Sequence, residues 1–236
     1  MKKHLFNALV VLGIVLGLTA TTPVYAESDS DVVRPHSKAF PMTYGEWSAR
    51  WWQYIFGLPA ADHPLNDTTG ERCAVGQWGP VFFLVGPPTT GGPVTRSCTV
   101  PARKALLIPI LNVSCAVPED GGTLDEITTL CDLIADLIDV NTLSVSIDGE
   151  AVKSLRRFRF QSPAFSFTGN TPNVFSQIGC VDSGHCYEGF REVAVSDGYW
   201  ILLEPLSPGN HTIRFHGEVP DFNFVVDVTY HLTVLP

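Results

Sequence analysis

The chain has 236 residues, with 15 basic and 24 acidic side chains and a formal net charge of −9 at pH 7. This acidity repels phosphate backbones and anionic lipid, so it argues against nucleic acid or a membrane surface as the partner. The length suits one β-rich domain and allows a sizeable core.

The first 26 residues have the pattern of a secretory signal peptide. Lys2 and Lys3 precede an apolar run over 5–18, and Val24 to Ala26 resemble a cleavage site. A membrane anchor is the alternative, but a bilayer span needs about 20 apolar residues. We therefore predict cleavage after Ala26, export to the periplasm or the extracellular space, and no membrane span in the mature chain.

Six cysteines follow the predicted cleavage site, and an even number in an oxidising compartment indicates disulfides. A metal site built from Cys180, His185 and Cys186 is the alternative, but the paired ligand spacing typical of zinc sites is missing. The sequence therefore predicts neither a metal nor another cofactor. The spacing leaves the connectivity open, and we expect neighbours to pair: Cys73 with Cys98, Cys115 with Cys131, and Cys180 with Cys186.

Two helices are predicted, each opened by a capping box. Thr43 with Glu46 opens a helix over 44–56, and Thr123 with Glu126 opens a helix over 124–139, where Cys131 lies on the apolar stripe. A disulfide from Cys131 to the strand that contains Cys115 would attach the second helix to the core.

The remaining pattern is that of β-strands. Pro109 inside one apolar run indicates an edge strand or a bulge, and Asp148 with Gly149 indicates a tight hairpin. The predicted strands cover 81–85, 105–113, 142–147, 155–160, 193–203, 211–217 and 225–235. These elements predict a mainly β fold, an antiparallel β-sandwich of immunoglobulin-like or jelly-roll-like type, with two helices and disulfides. We expect residues 27–40 to form a flexible leader and 41–236 to form the single domain.

Two segments carry resemblances. The stretch from Leu206 through Ser207-Pro208-Gly209-Asn210 to Phe215 resembles the closing hairpin of bacterial immunoglobulin-like sandwich modules. The helix with the sequence WSARWWQ, followed by Gly79-Pro80-Val81, resembles uncharacterised secreted bacterial proteins with a Trp-rich N-terminal helix. The first resemblance implies a sandwich, and the second implies no function.

Tryptophan is the residue type that most suggests a ligand site. Trp47, Trp51 and Trp52 lie on one short helix, and Trp78 lies in the loop that follows. Aromatic faces stack on sugar rings and other flat ligands, although core packing explains the same residues. We retain these four tryptophans as candidate ligand-binding residues.

Catalytic and metal-binding patterns are weaker. His216, His231 and Asp227 fall on the polar side of neighbouring strands, where they could bind a metal or simply face solvent. A glycan hydrolase would need a pair of carboxylates, and the sequence does not select two from its candidates. These candidates are Glu46, Asp62, Asp67, Glu188, Glu192 and Glu204.

These observations favour an exported, non-catalytic β-sandwich protein that binds a ligand or an extracellular partner, such as a glycan or an envelope protein. One alternative is an extracellular hydrolase that acts on glycans or another polymer through a carboxylate pair. Another is a structural component of a surface assembly formed by strand addition at an exposed edge.

Overall fold

The computed structural model describes residues 31–86, 92–175 and 186–236. The predicted signal peptide over 1–26 lies outside these ranges. Neither helix of the described residues has the length and continuous hydropathy that crossing a bilayer requires. The helices are α1 (Tyr44–Gly57) and α2 (Leu124–Asp136), and the strands are β1 (Lys38–Ala39), β2 (Met42–Thr43), β3 (Val81–Phe83), β4 (Val94–Val100), β5 (Ala105–Ala116), β6 (Ser144–Ile147), β7 (Glu150–Ala151), β8 (Phe165–Gly169), β9 (Gly189–Leu203), β10 (Gly209–Val219) and β11 (Phe224–Val234).

The described strands form two larger sheets and the small β1–β2 pair. The five-stranded sheet has the order β4-β11-β10-β6-β7, and the four-stranded sheet has the order β3-β5-β9-β8. Each contains one parallel pair at its edge, β4 with β11 and β3 with β5. The other strand pairs described in these two sheets are antiparallel, as predicted. The two edge pairs depart from the prediction because β3 and β4 reach their sheets through crossover connections.

One hydrophobic core joins the two larger sheets and α1. Along β11, every second residue from Val226 to Val234 is buried, as the alternation predicts. Most of β5 is instead buried without alternation. Besides its sheet neighbours β3 and β9, β5 contacts helix α2 and strand β10 of the other sheet, which explains the continuous apolar run from 105 onward.

Both helices begin at the predicted capping boxes. The Thr43 hydroxyl accepts from the backbone N–H of Glu46 at 3.2 Å, and the Glu46 carboxylate accepts from the backbone N–H of Thr43 at 2.7 Å. Helix α2 ends three residues before its predicted end. The N–H groups of Leu137 and Ile138 bond to carbonyls only three residues earlier, so the last turn tightens.

Two predicted disulfides are confirmed. Cys73 bonds to Cys98 and Cys115 bonds to Cys131, with Cα atoms 6.0 and 5.8 Å apart. The second bond attaches α2 to β5. With sequence separations of 25 and 16 residues, each bond contributes about 3 kcal/mol by restricting the unfolded chain. Cys186 is disulfide-bonded, and its predicted partner Cys180 lies outside the described residues.

Two other predictions are corrected. The expected strand at 155–160 is a 3₁₀ turn over Leu155–Phe158, which begins after Ser154 in a left-handed conformation with φ 59°.

Residues 31–40 belong to the expected flexible leader, but this part packs on the domain. Val33 is buried, and its N–H donates to the carbonyl of Leu202 at 2.9 Å, so an apolar side chain holds the segment against β9.

The predicted bulge at Pro109 and the predicted hairpin turn at Asp148 and Gly149 are both confirmed. The register of β5 against β9 shifts between Pro109 and Leu111, which places a bulge at the proline. Strands β6 and β7 form the predicted hairpin, with φ of 52° at Asp148 and 89° at Gly149. Both positive values match the hairpin turn that favours these residue types.

Candidate functional site

An apolar pocket of about 160 Å³ is formed by α1, β5 and β11 together with nearby loop residues. Trp51, Trp52 and Ile55 on α1 contribute to one wall. Residues 109–112 of β5 contribute to another, and Phe224 and Val226 come from β11. The volume is close to the roughly 150 Å³ of an apolar cavity known to admit benzene. We call this site the Trp52–Asn112 pocket.

Two residues that line this pocket each have a buried polar atom with no hydrogen-bond partner among the described residues. The atoms are Nε1 of Trp52, which is a donor, and Oδ1 of Asn112, which is an acceptor. More than nine in ten buried polar groups in proteins are hydrogen-bonded, so two exceptions in one pocket need an explanation. A bound molecule with both an acceptor and a donor would satisfy them together.

The three indoles of α1 differ in whether their N–H groups have a hydrogen-bond partner. Nε1 of Trp47 donates to the carbonyl of Ala39 at 2.8 Å, and Nε1 of Trp51 donates to the carbonyl of Leu84 at 2.9 Å. Trp47 and Trp51 are only 5% and 4% exposed. The structure therefore places these two predicted ligand residues in the core and leaves the third indole N–H of the helix, that of Trp52, unpartnered.

Trp52 is held by aromatic neighbours rather than by a hydrogen bond. Its ring centroid lies 5.1 Å from those of Trp51 and Phe56, and 6.2 Å from that of Phe175, whose plane is tilted by only 28°. Such contacts fix the position of the ring. The indole is thus oriented before any ligand binds.

Asn112 is positioned by the bulge in β5 and by its neighbour on β9. It pairs with Gly198, where φ is 148°. A Cβ atom at Gly198 would lie 2.4 Å from the Cα of Asn112, so only glycine permits this approach of the two strands. The bulge at Pro109 changes which residues of β5 face the pocket.

No charged side chain is found among the described residues that line the pocket. These residues are apolar apart from Asn112 and the indole N–H groups. An ion would lose its hydration here without gaining a counter-charge, which is strongly unfavourable. The pocket therefore suits a neutral molecule.

A second apolar depression of about 310 Å³ adjoins the pocket. The two share Leu111, Asn112 and Phe224, and the second is completed by residues that include Ile134 of α2 and Phe222. A molecule too long for the pocket could extend along this surface.

Trp78, the fourth predicted ligand residue, lies elsewhere. Its side chain is 66% exposed and lines a separate depression with Arg50, Gln53 and Phe190. The tryptophans of the candidate site are thus divided by the fold between the core, the Trp52–Asn112 pocket and a second surface.

Among the described residues, His216, His231 and Asp227 do not form a metal-binding group of three. His216 contacts Glu218 at 3.1 Å and Asp227 at 3.6 Å, and Asp227 also binds Arg214. His231 lies instead beside Thr212 on the neighbouring strand. Over the described ranges, no group of three or more metal-binding side chains is found. His185 and Cys180, named in the zinc alternative, lie outside these ranges.

Two of the candidate carboxylates have structural roles. The hydrogen bonds from Thr43 hold the pKa of Glu46 below its usual range. Burial raises the pKa of Asp67, but hydrogen bonds from the N–H groups of Arg72, Thr69 and Gly70 outweigh it and lower the pKa overall. Both side chains are therefore ionised and engaged in turns. None of five depressions formed by described residues is lined by Asp or Glu.

Asn112 was missed by sequence reasoning. The available signal was an amide side chain within an apolar run, three residues after a proline in a buried strand. That signal also fits an ordinary surface position, so it identifies no site by itself. Comparison with protein-family models, curated proteins and solved structures finds no match for the chain.

Proposed function

We propose that the chain is an exported, non-catalytic β-sandwich protein that binds a small, neutral, mainly apolar molecule carrying a hydroxyl group. One observation carries this proposal: an unpartnered donor, Trp52 Nε1, and an unpartnered acceptor, Asn112 Oδ1, belong to residues that line the same apolar pocket. A hydroxyl both accepts and donates, so it has the chemistry that each of the two atoms lacks.

The energies favour such a ligand. Each buried polar group without a partner costs about 1–3 kcal/mol, which the free protein carries and the complex recovers. Burial of the apolar part of the ligand contributes roughly 25 cal/mol per Å². The two terms together select a molecule with one polar group over a hydrocarbon or an ion.

Export and the sandwich arrangement are part of the same proposal. The pattern of residues 1–26 supports export, and the two disulfides among the described residues are compatible with an oxidising compartment. The shared core of the two larger sheets supports a sandwich of immunoglobulin-like or jelly-roll-like type.

The sheet edges disfavour a structural role by strand addition. At β3, the Gln77 side chain donates to the carbonyl of Phe83 at 2.8 Å and accepts from its N–H at 2.9 Å. At β8, Gln53 donates to the carbonyl of Ser166 at 2.7 Å. At β4, the N–H of Ser97 donates to the carbonyl of Thr69 at 2.8 Å. Backbone groups that an added strand would need are thus engaged at three outer strands of the described sheets.

Hydrolysis has less support than binding. No carboxylate is found among the described residues that line the pocket and the depression beside it, whereas glycan hydrolysis through paired carboxylates needs two near the bound substrate. The arrangement therefore supports binding rather than bond cleavage.

Three probes of similar size test the proposal: p-cresol, which donates and accepts; 4-methylanisole, which only accepts; and p-xylene, which does neither. Isothermal titration calorimetry and ligand-observed NMR would measure their binding to the mature protein. We expect p-cresol to bind most tightly and each lost hydrogen bond to cost about 1 kcal/mol, or about fivefold in affinity.

Two variants identify the protein atom that causes each difference in affinity between the probes. Asn112→Leu should remove the preference for p-cresol over 4-methylanisole, and Trp52→Phe should remove the preference for 4-methylanisole over p-xylene. Trp78→Phe is the control, because Trp78 lies outside the pocket. Equal affinity of the three probes for the unmodified protein, or no binding of any of them, would refute the proposed ligand class.

A further inference from the structure

The two most exposed large hydrophobic side chains of the described residues lie on one surface. Trp78 is 66% exposed and Phe190 is 64% exposed, and both line a depression of about 350 Å³. Trp78 precedes β3 and Phe190 lies on β9, so the fold brings them together from distant parts of the sequence. We call this the Trp78–Phe190 surface, and it shares no lining residue with the Trp52–Asn112 pocket.

The backbone is anchored on both sides of Trp78. The side chain of Gln77 bonds to both backbone groups of Phe83, and the carbonyl of Gly79 accepts a hydrogen bond from Nζ of Lys104. The loop that carries the exposed indole is therefore fixed to β3 and to the start of β5.

Phe190 is anchored in a similar way. It pairs with Thr168 of β8 in the sheet register. The next residue, Arg191, bonds to Glu119 at 2.6 Å and to the carbonyl of Glu188 at 2.7 Å. Both aromatic rings are thus presented to solvent by rigid backbone, and among the described residues neither packs against another aromatic ring. Core packing does not explain them, and exposed apolar patches of this kind mark binding sites.

The remaining walls of the depression are largely polar. Nη1 of Arg50 donates to Oε1 of Gln53 at 3.1 Å, and Nε2 of Gln53 donates to the carbonyl of Ser166 at 2.7 Å. This chain orders a planar guanidinium and a planar amide beside the aromatic rings. The exposed side chains of Ser166 and Thr168 add two hydroxyl groups.

We infer that the Trp78–Phe190 surface binds a neutral sugar unit of a glycan chain. A sugar ring has apolar C–H faces that stack on aromatic rings, and its equatorial rim carries hydroxyls that bond to guanidinium, amide and hydroxyl groups. An aliphatic ligand would make no hydrogen bonds to Arg50 or Gln53. A multiply charged anion would find only one cation, Arg50, among the described residues that line the depression. The combination of exposed rings and ordered polar groups fits a carbohydrate best.

The experiment uses four soluble, neutral probes of six or seven sugar units: cellohexaose, maltoheptaose, hexa-N-acetylchitohexaose and xylohexaose. Binding to the mature protein would be measured by calorimetry. We expect at least one probe to bind, and Trp78→Ala and Phe190→Ala each to weaken that binding at least tenfold. Trp78→Phe should retain part of it because it keeps an aromatic face, and Arg50→Met should weaken it because it removes the hydrogen-bond donors.

The matched control is Phe222→Ala, which removes another exposed aromatic ring, 61% exposed, from a different surface. It should leave glycan affinity unchanged. Because Trp78 and Phe190 are exposed, their variants should keep the thermal stability and the p-cresol affinity of the unmodified protein. The p-cresol affinity therefore distinguishes an error in the glycan inference from an error in the ligand proposed for the pocket.

Three results would overturn the inference. They are no binding of any of the four probes, binding that Trp78→Ala and Phe190→Ala leave unchanged, and self-association in sedimentation that Trp78→Ala abolishes while no probe binds. The last result would identify the surface as a contact between copies of the chain.

Discussion

Arg96 and Tyr230 are joined inside the core, where Nη1 of the guanidinium donates a hydrogen bond of 2.9 Å to the tyrosine hydroxyl. Arg96 is only 1% exposed, and none of the ion pairs among the described residues includes it. Carbonyls of Val85 and Pro64 accept from it at 2.5 and 2.8 Å, and the guanidinium carbon lies 5.7 Å from the centre of the Tyr230 ring. Neutral dipoles and an aromatic ring therefore replace the water around this cation.

Tyr230→Phe should destabilise the protein by about 2–3 kcal/mol, because the buried cation loses a hydrogen-bond acceptor. The hydroxyl also donates to the carbonyl of Val85 at 2.7 Å, and that bond is lost as well. Urea unfolding would measure the change. Tyr199→Phe is the control, since Tyr199 is also a core residue. A cost no larger than that of the control would show that Tyr230 does not stabilise Arg96.

His63 should make the protein less stable in mild acid. It is fully buried, with Nε2 placed 2.9 Å from the carbonyl of Ile55 and Nδ1 accepting from the N–H of Leu65 at 3.0 Å. Burial lowers its pKa, which the hydrogen bond to Ile55 only partly offsets. The unfolded chain therefore binds a proton that the folded protein does not, and the free energy of unfolding falls as the pH drops below about 6.5.

The test compares urea unfolding between pH 5 and 8 for the unmodified protein and His63→Gln. The variant keeps one donor and one acceptor but does not titrate. Its stability should change less with pH over this range. Parallel curves for the two proteins would contradict the assignment.

His211 should stabilise the protein more in mild acid than at alkaline pH, which is the opposite of the effect of His63. Burial lowers its pKa, but hydrogen bonds to Asp148 at 2.7 Å and to the carbonyl of Ser207 at 2.9 Å raise it further, so the net shift is upward. Because the folded protein holds this proton more tightly, the contribution is complete below about pH 6.5 and is lost as the pH rises through the raised pKa. His211→Gln should therefore cost more stability at pH 5.5 than at pH 8.5. An equal cost at both values would exclude a charged His211.

Gly198→Ala should disrupt the Trp52–Asn112 pocket as well as the fold. The new Cβ would lie 2.4 Å from the Cα of Asn112, so β5 and β9 must separate. Gly209→Ala is a matched control, because its φ of 139° resembles the 148° at Gly198 but no atom lies within 4 Å of the added Cβ. We expect about 1–3 kcal/mol of strain in the control and a clearly larger cost at Gly198. Calorimetry with p-cresol should show weaker binding only for Gly198→Ala.

Longer alkyl chains on the phenol should increase affinity if the ligand extends into the second apolar depression. From p-cresol to 4-propylphenol and 4-pentylphenol, each buried methylene should add up to about 0.8 kcal/mol. Phe222→Ala should reduce this gain and leave p-cresol affinity unchanged, because Phe222 lines only the second depression. Affinity that does not rise with chain length would confine the ligand to the pocket.

Local patterns in the sequence were enough to predict the structural features that depend on residues close together in the chain. The capping boxes of Thr43 and Thr123 located the starts of both helices, and the alternation from Val226 to Val234 identified the buried face of β11. Two disulfides followed from pairing of neighbours, and the hairpin followed from Asp148 and Gly149. Each of these features depends on residues within a few turns of helix or one loop.

The tertiary structure decided where the candidate sites lie. Trp47, Trp51 and Trp52 are all candidate ligand residues in the sequence. Among the described residues, only Trp52 of these three has an indole N–H without a partner, because the carbonyls of Ala39 and Leu84 satisfy the other two. Asn112 became a candidate only when the bulge in β5 and the close approach of Gly198 placed it in an apolar pocket.

The same distinction holds for the fold as a whole. The sequence by itself determined the mainly β content and the two helices, because these depend on periodicity. It left the cysteine connectivity open, and the structure decided which of the expected neighbour pairs form. The parallel edge strands, the docking of Val33 on β9 and the meeting of Trp78 with Phe190 were decided by contacts between distant residues. Such contacts form only when the whole core is buried, and no local pattern records them.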